Sequence, residues 1–217
     1  ERATVVVIDA IGEFDTISIY GAEYVNGKAR YKKLWGQQYP HSIGLFYSAM
    51  TQQVGLKPME EEYILMGMAA YGSGASSALM FQQLHIDSSY NYLDHYDAED
   101  IAAGAQAICE ELIYSVMSRA RYFAWSTNLV YQGGVALNCL ANRNLGEYFE
   151  NIWIMPNPGD SGSSLGAAAL AYGGPVKFQH AYLGHEISGD YPVNAVLDSL
   201  LSDKIVGVAS CLLYTSD

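Results

Sequence analysis

The sequence predicts an α/β domain, and three observations carry the prediction. Short β-branched runs alternate with stretches of helical period. Glycine- and aspartate-rich turns directly follow several of the strand-like runs. Half of the 217 residues are hydrophobic and only 16% are charged, with a mean hydropathy of +0.04, a globular composition long enough for one generous domain.

Each element follows in order from local chemistry. Thr4–Ile8 is a β-branched run ending in Asp9, and Phe14–Gly21 and Ala29–Trp35 are aromatic and β-branched segments on either side of Asn26-Gly27. An Asn-Gly pair accepts positive φ at both positions, so the second and third strands form an antiparallel hairpin and the first three make a meander. Pro40 and Ser42 open a helix with Leu45, Phe46, Ala49, Met50 and Gln53 on one face, closed by Gly55 and Pro58. A second helix starts at Glu60-Glu61-Glu62 and ends at Tyr71-Gly72. Ser73 to Asp97 has no clean period and reads as irregular with one short strand.

Asp97, with Asp100 three residues later, sets an N-cap. From there Ile101, Ala105, Ile108, Leu112, Val116 and Phe123 stripe a helix of about 26 residues, ~39 Å at 1.5 Å per residue. Asn128–Tyr131 is a short strand, followed by Gln132-Gly133-Gly134 and a helix from Val135 to about Glu147. Ile152–Met155 is a strand, Pro156–Asp160 a loop, Ser163–Tyr172 an alanine-dense helix, and Lys204–Ala209 a last strand. Glu1-Arg2-Ala3 enters the first strand without an initiator methionine, which reads as lost upstream sequence. Cys211–Asp217 looks like a translated sequencing adapter, so the expected domain is 1–210 and 211–217 an artefact.

Charge and cysteine content narrow the function. Eleven basic against 23 acidic residues leave a net charge of −12, the wrong sign for gripping a phosphate backbone. Lys28, Arg30, Lys32 and Lys33 on the third strand read as a charged guard on an exposed sheet edge. Cys109, Cys139 and Cys211 are too few and scattered for a disulfide framework or zinc site, and Cys109 and Cys139 read as small core residues. No apolar run reaches the ~18 residues of a membrane span. The expected setting is cytoplasmic, with neither nucleic acid nor membrane as partner.

Three turns can carry chemistry. Asp9-Ala10-Ile11-Gly12-Glu13 puts a carboxylate at the end of a buried strand, with a glycine that lets backbone N–H groups approach an anion. A plain hairpin turn explains the same residues. Gln132-Gly133-Gly134 joins a strand to a helix, where unpaired N–H groups favour a phosphate or ribose hydroxyl, and it matches neither the Rossmann nor the P-loop pattern. Pro156-Asn157-Pro158-Gly159-Asp160-Ser161-Gly162 again follows a strand, and Asp160 either caps the next helix or binds a metal. Such turns recur where a nucleotide sits between the strand-end loops of an actin-like or sugar-kinase-like domain.

Five blocks in order carry a resemblance: Val7–Glu13, Ser42–Ser48, Glu62–Gly72, Gly133–Asn138 and Gly159–Gly162. Together they resemble the O-carbamoyltransferases of the nodulation-factor, cephamycin and tobramycin type, over roughly 1–208. The resemblance implies an actin/Hsp70-like ATPase-superfamily domain, related to threonylcarbamoyl-adenosine synthase. It also implies transfer of carbamoyl from a carbamoyladenylate to a hydroxyl of a sugar or antibiotic. A separate adenylate-forming domain of the same chain makes that adenylate from carbamoyl phosphate and ATP. By motif, Asp9 and Asp160 would hold a divalent metal, Fe2+ in the family, and Gly133, Gly134 and Asn138 would line the adenosine. Gly12 would let the backbone approach the phosphates, and Glu62 and Tyr71 would face the acceptor.

The family's upstream His-x-x-x-His pair has no counterpart among His41, His85, His95, His180 and His185, so this stretch alone is expected to be inactive. Ala10, Ile64 and Ala70 depart from the glycine, lysine and proline common at those family positions. The rival readings are an ATP-dependent phosphotransferase or ATPase, and a non-catalytic nucleotide-binding scaffold.

Overall fold

The computed structural model describes residues 1–73, 93, 95–178 and 192–203. Five strands form one mixed sheet: β1 (Arg2–Ile8), β2 (Asp15–Val25), β3 (Lys28–Gln38), β4 (Asn128–Gln132) and β5 (Asn151–Ile154), in the order β3-β2-β1-β4-β5. The β1–β2 and β2–β3 pairs are antiparallel, while β1–β4 and β4–β5 are parallel. The α/β class and the meander are therefore as expected. Asn26 (φ 52°) and Gly27 (φ 77°) make the turn between β2 and β3, both in the left-handed region that this residue pair tolerates. β3 is the sheet edge, and Lys28, Arg30, Lys32 and Lys33 are exposed along it, as a charged guard requires.

The helices are α1 (Ile43–Gln53), α2 (Glu62–Met68), α3 (Ala98–Tyr122), α4 (Cys139–Asn142) and α5 (Asp160–Tyr172). Ser42 caps α1, its Oγ accepting from the Leu45 N–H at 3.0 Å. The second helix is shorter than expected, beginning at Glu62 and ending before Tyr71. Helix α3 has the expected length, but Asp97 makes no side-chain capping bond, and Asp100 Oδ1 instead accepts from the Ser73 N–H at 2.7 Å. The expected helix from Val135 to Glu147 is broken into a 3-10 turn (Gly134–Leu137), α4 and a second 3-10 turn (Leu145–Glu147). Asn138 makes the break, leaving helical backbone angles so that its side chain caps α4 through the Ala141 N–H at 3.1 Å.

Alternation along β1 buries Thr4, Val6 and Ile8 and leaves Val5 and Val7 half-buried on the other face. The buried set joins Ile17, Ile19, Leu129 and Tyr131 of neighbouring strands to Met50 of α1 and Ile108, Ile113 and Met117 of α3 in one cluster. Cys109 belongs to it as expected, whereas Cys139 is exposed at the start of α4, its Sγ 3.9 Å from Met66 Sδ. The chain divides into two units, Glu1–Val176 and Lys177–Asp217, and the described part of the second contributes helix α6 (Val193–Asp203), which the sequence reading does not anticipate. The short strand expected within Ser73–Asp97, the strand at Lys204–Ala209 and the 211–217 tail lie outside the described residues, Ser73, Leu93 and 95–97 excepted.

Candidate functional site at the strand ends

Parallel pairing brings the ends of β1 and β4 side by side, Val7 opposite Gln132, so the turns that follow meet. Asp9 leaves β1 half-buried, with its Oδ1 accepting from the Ala10 N–H at 2.8 Å. Gly133, at φ +95°, crosses so close to β1 that a Cβ would lie 2.1 Å from the Ile8 carbonyl oxygen, which only glycine permits. Its N–H donates to the Pro158 carbonyl at 2.8 Å, tying the loop after β5 to the same junction. A Cβ on Gly134 would lie 3.0 Å from Asp9 Oδ1, so carboxylate and glycine turn are in contact.

Helix α1 closes the other side. The Ser42 hydroxyl donates to the Ala10 carbonyl at 2.5 Å and lies 3.2 Å from that of Asp9. A Cβ on Gly44 would fall 2.6 Å from Ala10 N and Cα, so helix backbone rests directly on the Asp9 loop.

These elements enclose a cavity of about 300 Å³, lined among others by Asp9, Tyr47, Glu62, Met66, Gly134 and Asn138. Behind its lining residues Tyr47 and Asn138 lies a buried polar network. Gln106 of α3, 5% exposed, accepts at Oε1 from Tyr47 Oη (2.8 Å) and Asn138 Nδ2 (3.0 Å). Its Nε2 donates to Asn138 Oδ1 (3.0 Å) and Glu110 Oε1 (2.8 Å), so two amides pair reciprocally across α3 and the glycine turn. Burial pushes the Tyr47 hydroxyl's pKa far up, and pushes the Cys109 thiol up to about 12, so both stay neutral. Tyr131, fully buried behind Asp9 and Cys109, has a hydroxyl without a hydrogen-bond partner among the described residues, and burial raises its pKa as well.

On the opposite wall Glu62 Oε1 accepts from Ser48 Oγ and from the Met59 N–H, both at 2.5 Å. That fixes one carboxylate oxygen and leaves the other no partner among the described residues. No Lys, Arg or His lines the cavity among the described residues, so an anionic ligand there is held by backbone N–H groups or a counter-cation.

The anticipated residues divide. Asp9, Glu62, Gly134 and Asn138 line the cavity, and Gly133 shapes it from behind. Asp160 is exposed in the first turn of α5, which Gly159 and not Asp160 precedes as N-cap; its loop reaches the junction through Pro158. Gly12 lies in the exposed β1–β2 turn, where a Cβ would meet the Asp15 carbonyl oxygen at 2.3 Å, so the turn's own closure accounts for it. Tyr71 is 84% exposed and does not line the cavity. Among the described residues no three His, Cys, Asp or Glu side chains converge on a metal position. Sequence reasoning missed Tyr47, Ser48 and Gln106; a glutamine among Ala102, Ala105 and Ile108 on the apolar stripe of α3 was the signal available for the last.

Among the described residues no helix is long and apolar enough to cross a membrane. The model of the carbamoyltransferase N-terminus matches residues 1–97 and 78–169. An uncharacterized protein of Synechocystis sp. is 30% identical over 86% of this chain and 34% of its own length. The nodulation protein NolO of Bradyrhizobium diazoefficiens is 28% identical over 78% of this chain and 35% of its own. This chain thus spans about a third of the length of these relatives. The solved structure of the activator of 2-hydroxyisocaproyl-CoA dehydratase from Clostridium difficile, with bound ADPNP, aligns at a TM-score of 0.45 and 15% identity, covering 97% of this chain and 66% of that one. The five-stranded mixed sheet with its helices is of the α/β class that the sequence predicts. With the five ordered blocks and the strand-end junction in place, the family match over residues 1–169 is decisive: the chain belongs to the carbamoyltransferase family as its N-terminal domain.

Proposed function

We propose that the full-length protein transfers a carbamoyl group from carbamoyladenylate to a hydroxyl of a small sugar or natural-product acceptor, and that the strand-end cavity is where transfer occurs. The observation that carries this reading is the meeting of the Asp9 turn, the Gly133–Gly134 turn and Glu62 around one cavity in a chain of this family. The Gly134 N–H receives the adenylate phosphate, that of Gly133 being taken by Pro158, and the apolar wall with Tyr47 and Met66 accommodates the nucleoside.

Glu62 is the proton acceptor of the proposal. The acceptor oxygen attacks the carbamoyl carbon, forming the new C–O bond, and its proton passes to the carboxylate oxygen of Glu62 that Ser48 and Met59 leave unbonded. The bond from that carbon to the phosphate oxygen breaks, and AMP departs with the electron pair. Holding the two partners together supplies much of the acceleration, because AMP is already a good leaving group. A divalent cation, iron by resemblance, would draw hard oxygen ligands from Asp9 and Asp160. These two carboxylates alone do not make up a metal site. Carbamoyl phosphate and ATP are the ultimate donors, through an adenylate-forming domain of the same polypeptide.

The test supplies the full-length protein with ATP, 14C-labelled carbamoyl phosphate and a panel of hydroxylated acceptors. Label in an acceptor, reduced at least 100-fold by Glu62→Gln, supports the reading. ATP turnover without carbamoyl phosphate would establish the phosphotransferase or ATPase alternative. Nucleotide binding with neither carbamoyl transfer nor ATP turnover would leave the non-catalytic nucleotide-binding scaffold.

A further inference from the structure

A second cleft lies where the covered face of β2 and β3 meets the first turn of α1 and the C-terminal half of α3. It encloses about 240 Å³, and its walls include Trp35, Gln37, His41, Ser115 and Arg119 beside the apolar Ile43. The Arg119 guanidinium carbon sits over the Trp35 ring, 4.7 Å from its centroid, and its N–H groups make no hydrogen bond among the described residues. Among the described residues Arg119 has no carboxylate within ion-pair distance, and no Asp or Glu lines the cleft.

Placement near the C-terminal end of α3 explains a cation there through the helix dipole. It does not explain why the cation stacks on a tryptophan at the mouth of an acid-free cleft. Gln37 is held in place, its Nε2 3.4 Å from the His41 carbonyl, which also accepts from Thr16 Oγ1 at 2.5 Å. Lys28, Arg30 and Lys32 of the same strand lie toward its other end, so Arg119 is the cation that lines the cleft.

We propose that this cleft binds a small organic anion, a single carboxylate or phosphate monoester on a flat apolar body, with the anionic group on Arg119 and the flat body against Trp35 and Ile43. The anion takes the free edge of the guanidinium as a fork, which a planar carboxylate or phosphate matches in geometry. The site is separate from the strand-end cavity and does not depend on the function proposed for it.

The test is isothermal titration of this chain with phenyl phosphate, benzoate, inorganic phosphate and the neutral benzyl alcohol. Phenyl phosphate or benzoate should bind at least tenfold more tightly than inorganic phosphate or benzyl alcohol, and the ranking of the two identifies which anion the site takes. Arg119 is exposed, so Arg119→Met should fold, with only a small drop in melting temperature from the lost helix-dipole and Trp35 contacts, and lose at least tenfold in affinity, whereas Glu62→Gln in the other cavity should leave the affinity unchanged. Absence of heat up to 10 mM of either aryl anion overturns the proposal. So does binding that Arg119→Met leaves intact, or that Glu62→Gln abolishes.

Discussion

Replacing Gln106 with leucine removes one side chain and strands several others. The Tyr47 hydroxyl loses its acceptor, and Asn138 Nδ2 loses its carbonyl partner, keeping the distant Cys109 Sγ at 4.0 Å and its weaker interaction with the Tyr47 hydroxyl. Asn138 Oδ1 keeps the Ala141 N–H, and half-buried Glu110 turns to water, so two buried groups bear the cost. At about 1–3 kcal/mol for each unsatisfied buried polar group, Gln106→Leu should destabilise the chain by about 2–6 kcal/mol, a large share of the ~5–15 kcal/mol typical of a domain. Urea unfolding monitored by circular dichroism measures it through the transition midpoint. Gln106→Leu combined with Asn138→Leu should cost clearly less than the sum of the single losses, since paired removal strands fewer groups. A single-variant loss below about 0.5 kcal/mol, or strict additivity in the cycle, would refute the claim that reciprocal amide pairing joins α3 to the glycine turn.

Gly133→Ala forces a side chain within 2.1 Å of the Ile8 carbonyl at φ +95°, so the expected outcome is insoluble or unfolded protein on expression, against soluble Gly146→Ala, where nothing lies within 4 Å. Gly27→Ala meets open space at φ +77° and should lower stability by only about 1 kcal/mol, read from the urea midpoint. Iodoacetamide at pH 8 followed by peptide mass mapping should label exposed Cys139 and leave Cys109 unmodified until denaturation. A thiol with its pKa pushed up to about 12 is thiolate in roughly one molecule in ten thousand at that pH. Cys109, Tyr47, Tyr114 and Tyr131 all have raised folded-state pKa values, so the stability they contribute is complete below the unfolded values near 9–10. It is lost as pH climbs toward the folded ones, and melting temperature should fall from about pH 9 upward.

Much of the architecture is legible in local chemistry because local chemistry decides it. Asn26-Gly27 demands its turn, Ser42 caps its helix, and the stripe on α3 is long enough for the helical period to dominate. The failures arise where long-range partners win. Val135–Glu147 has the composition of a helix, yet Asn138 spends its side chain on Gln106, 32 residues away, and on capping α4, so the helix breaks. Asp97 and Asp100 have the spacing of a capping pair, but Ser73 captures Asp100. Cys139 looks apolar by type and lands outside because that break turns it outward. Of the site, residues whose backbone or charge is the signal (Asp9, Gly133 and Gly134) are readable in advance. Tyr47, Ser48 and Gln106 depend on which helices face each other, and no short window of sequence contains that.

The seating of Gly44 on the Asp9 loop has a consequence for how this domain tolerates variation. A side chain in the core can change size if a neighbour changes in return, because volume is shared among rotamers. At Gly44 the opposing atoms are Ala10 N and Cα, and no second substitution can make main chain retreat by the half-ångström or more a methyl group needs. In a saturation library position 44 should therefore be as depleted as a catalytic residue, although glycine offers no reactive group. Ranking positions by intolerance alone would count it among the chemistry, whereas its contribution is the distance at which α1 holds the Asp9 turn.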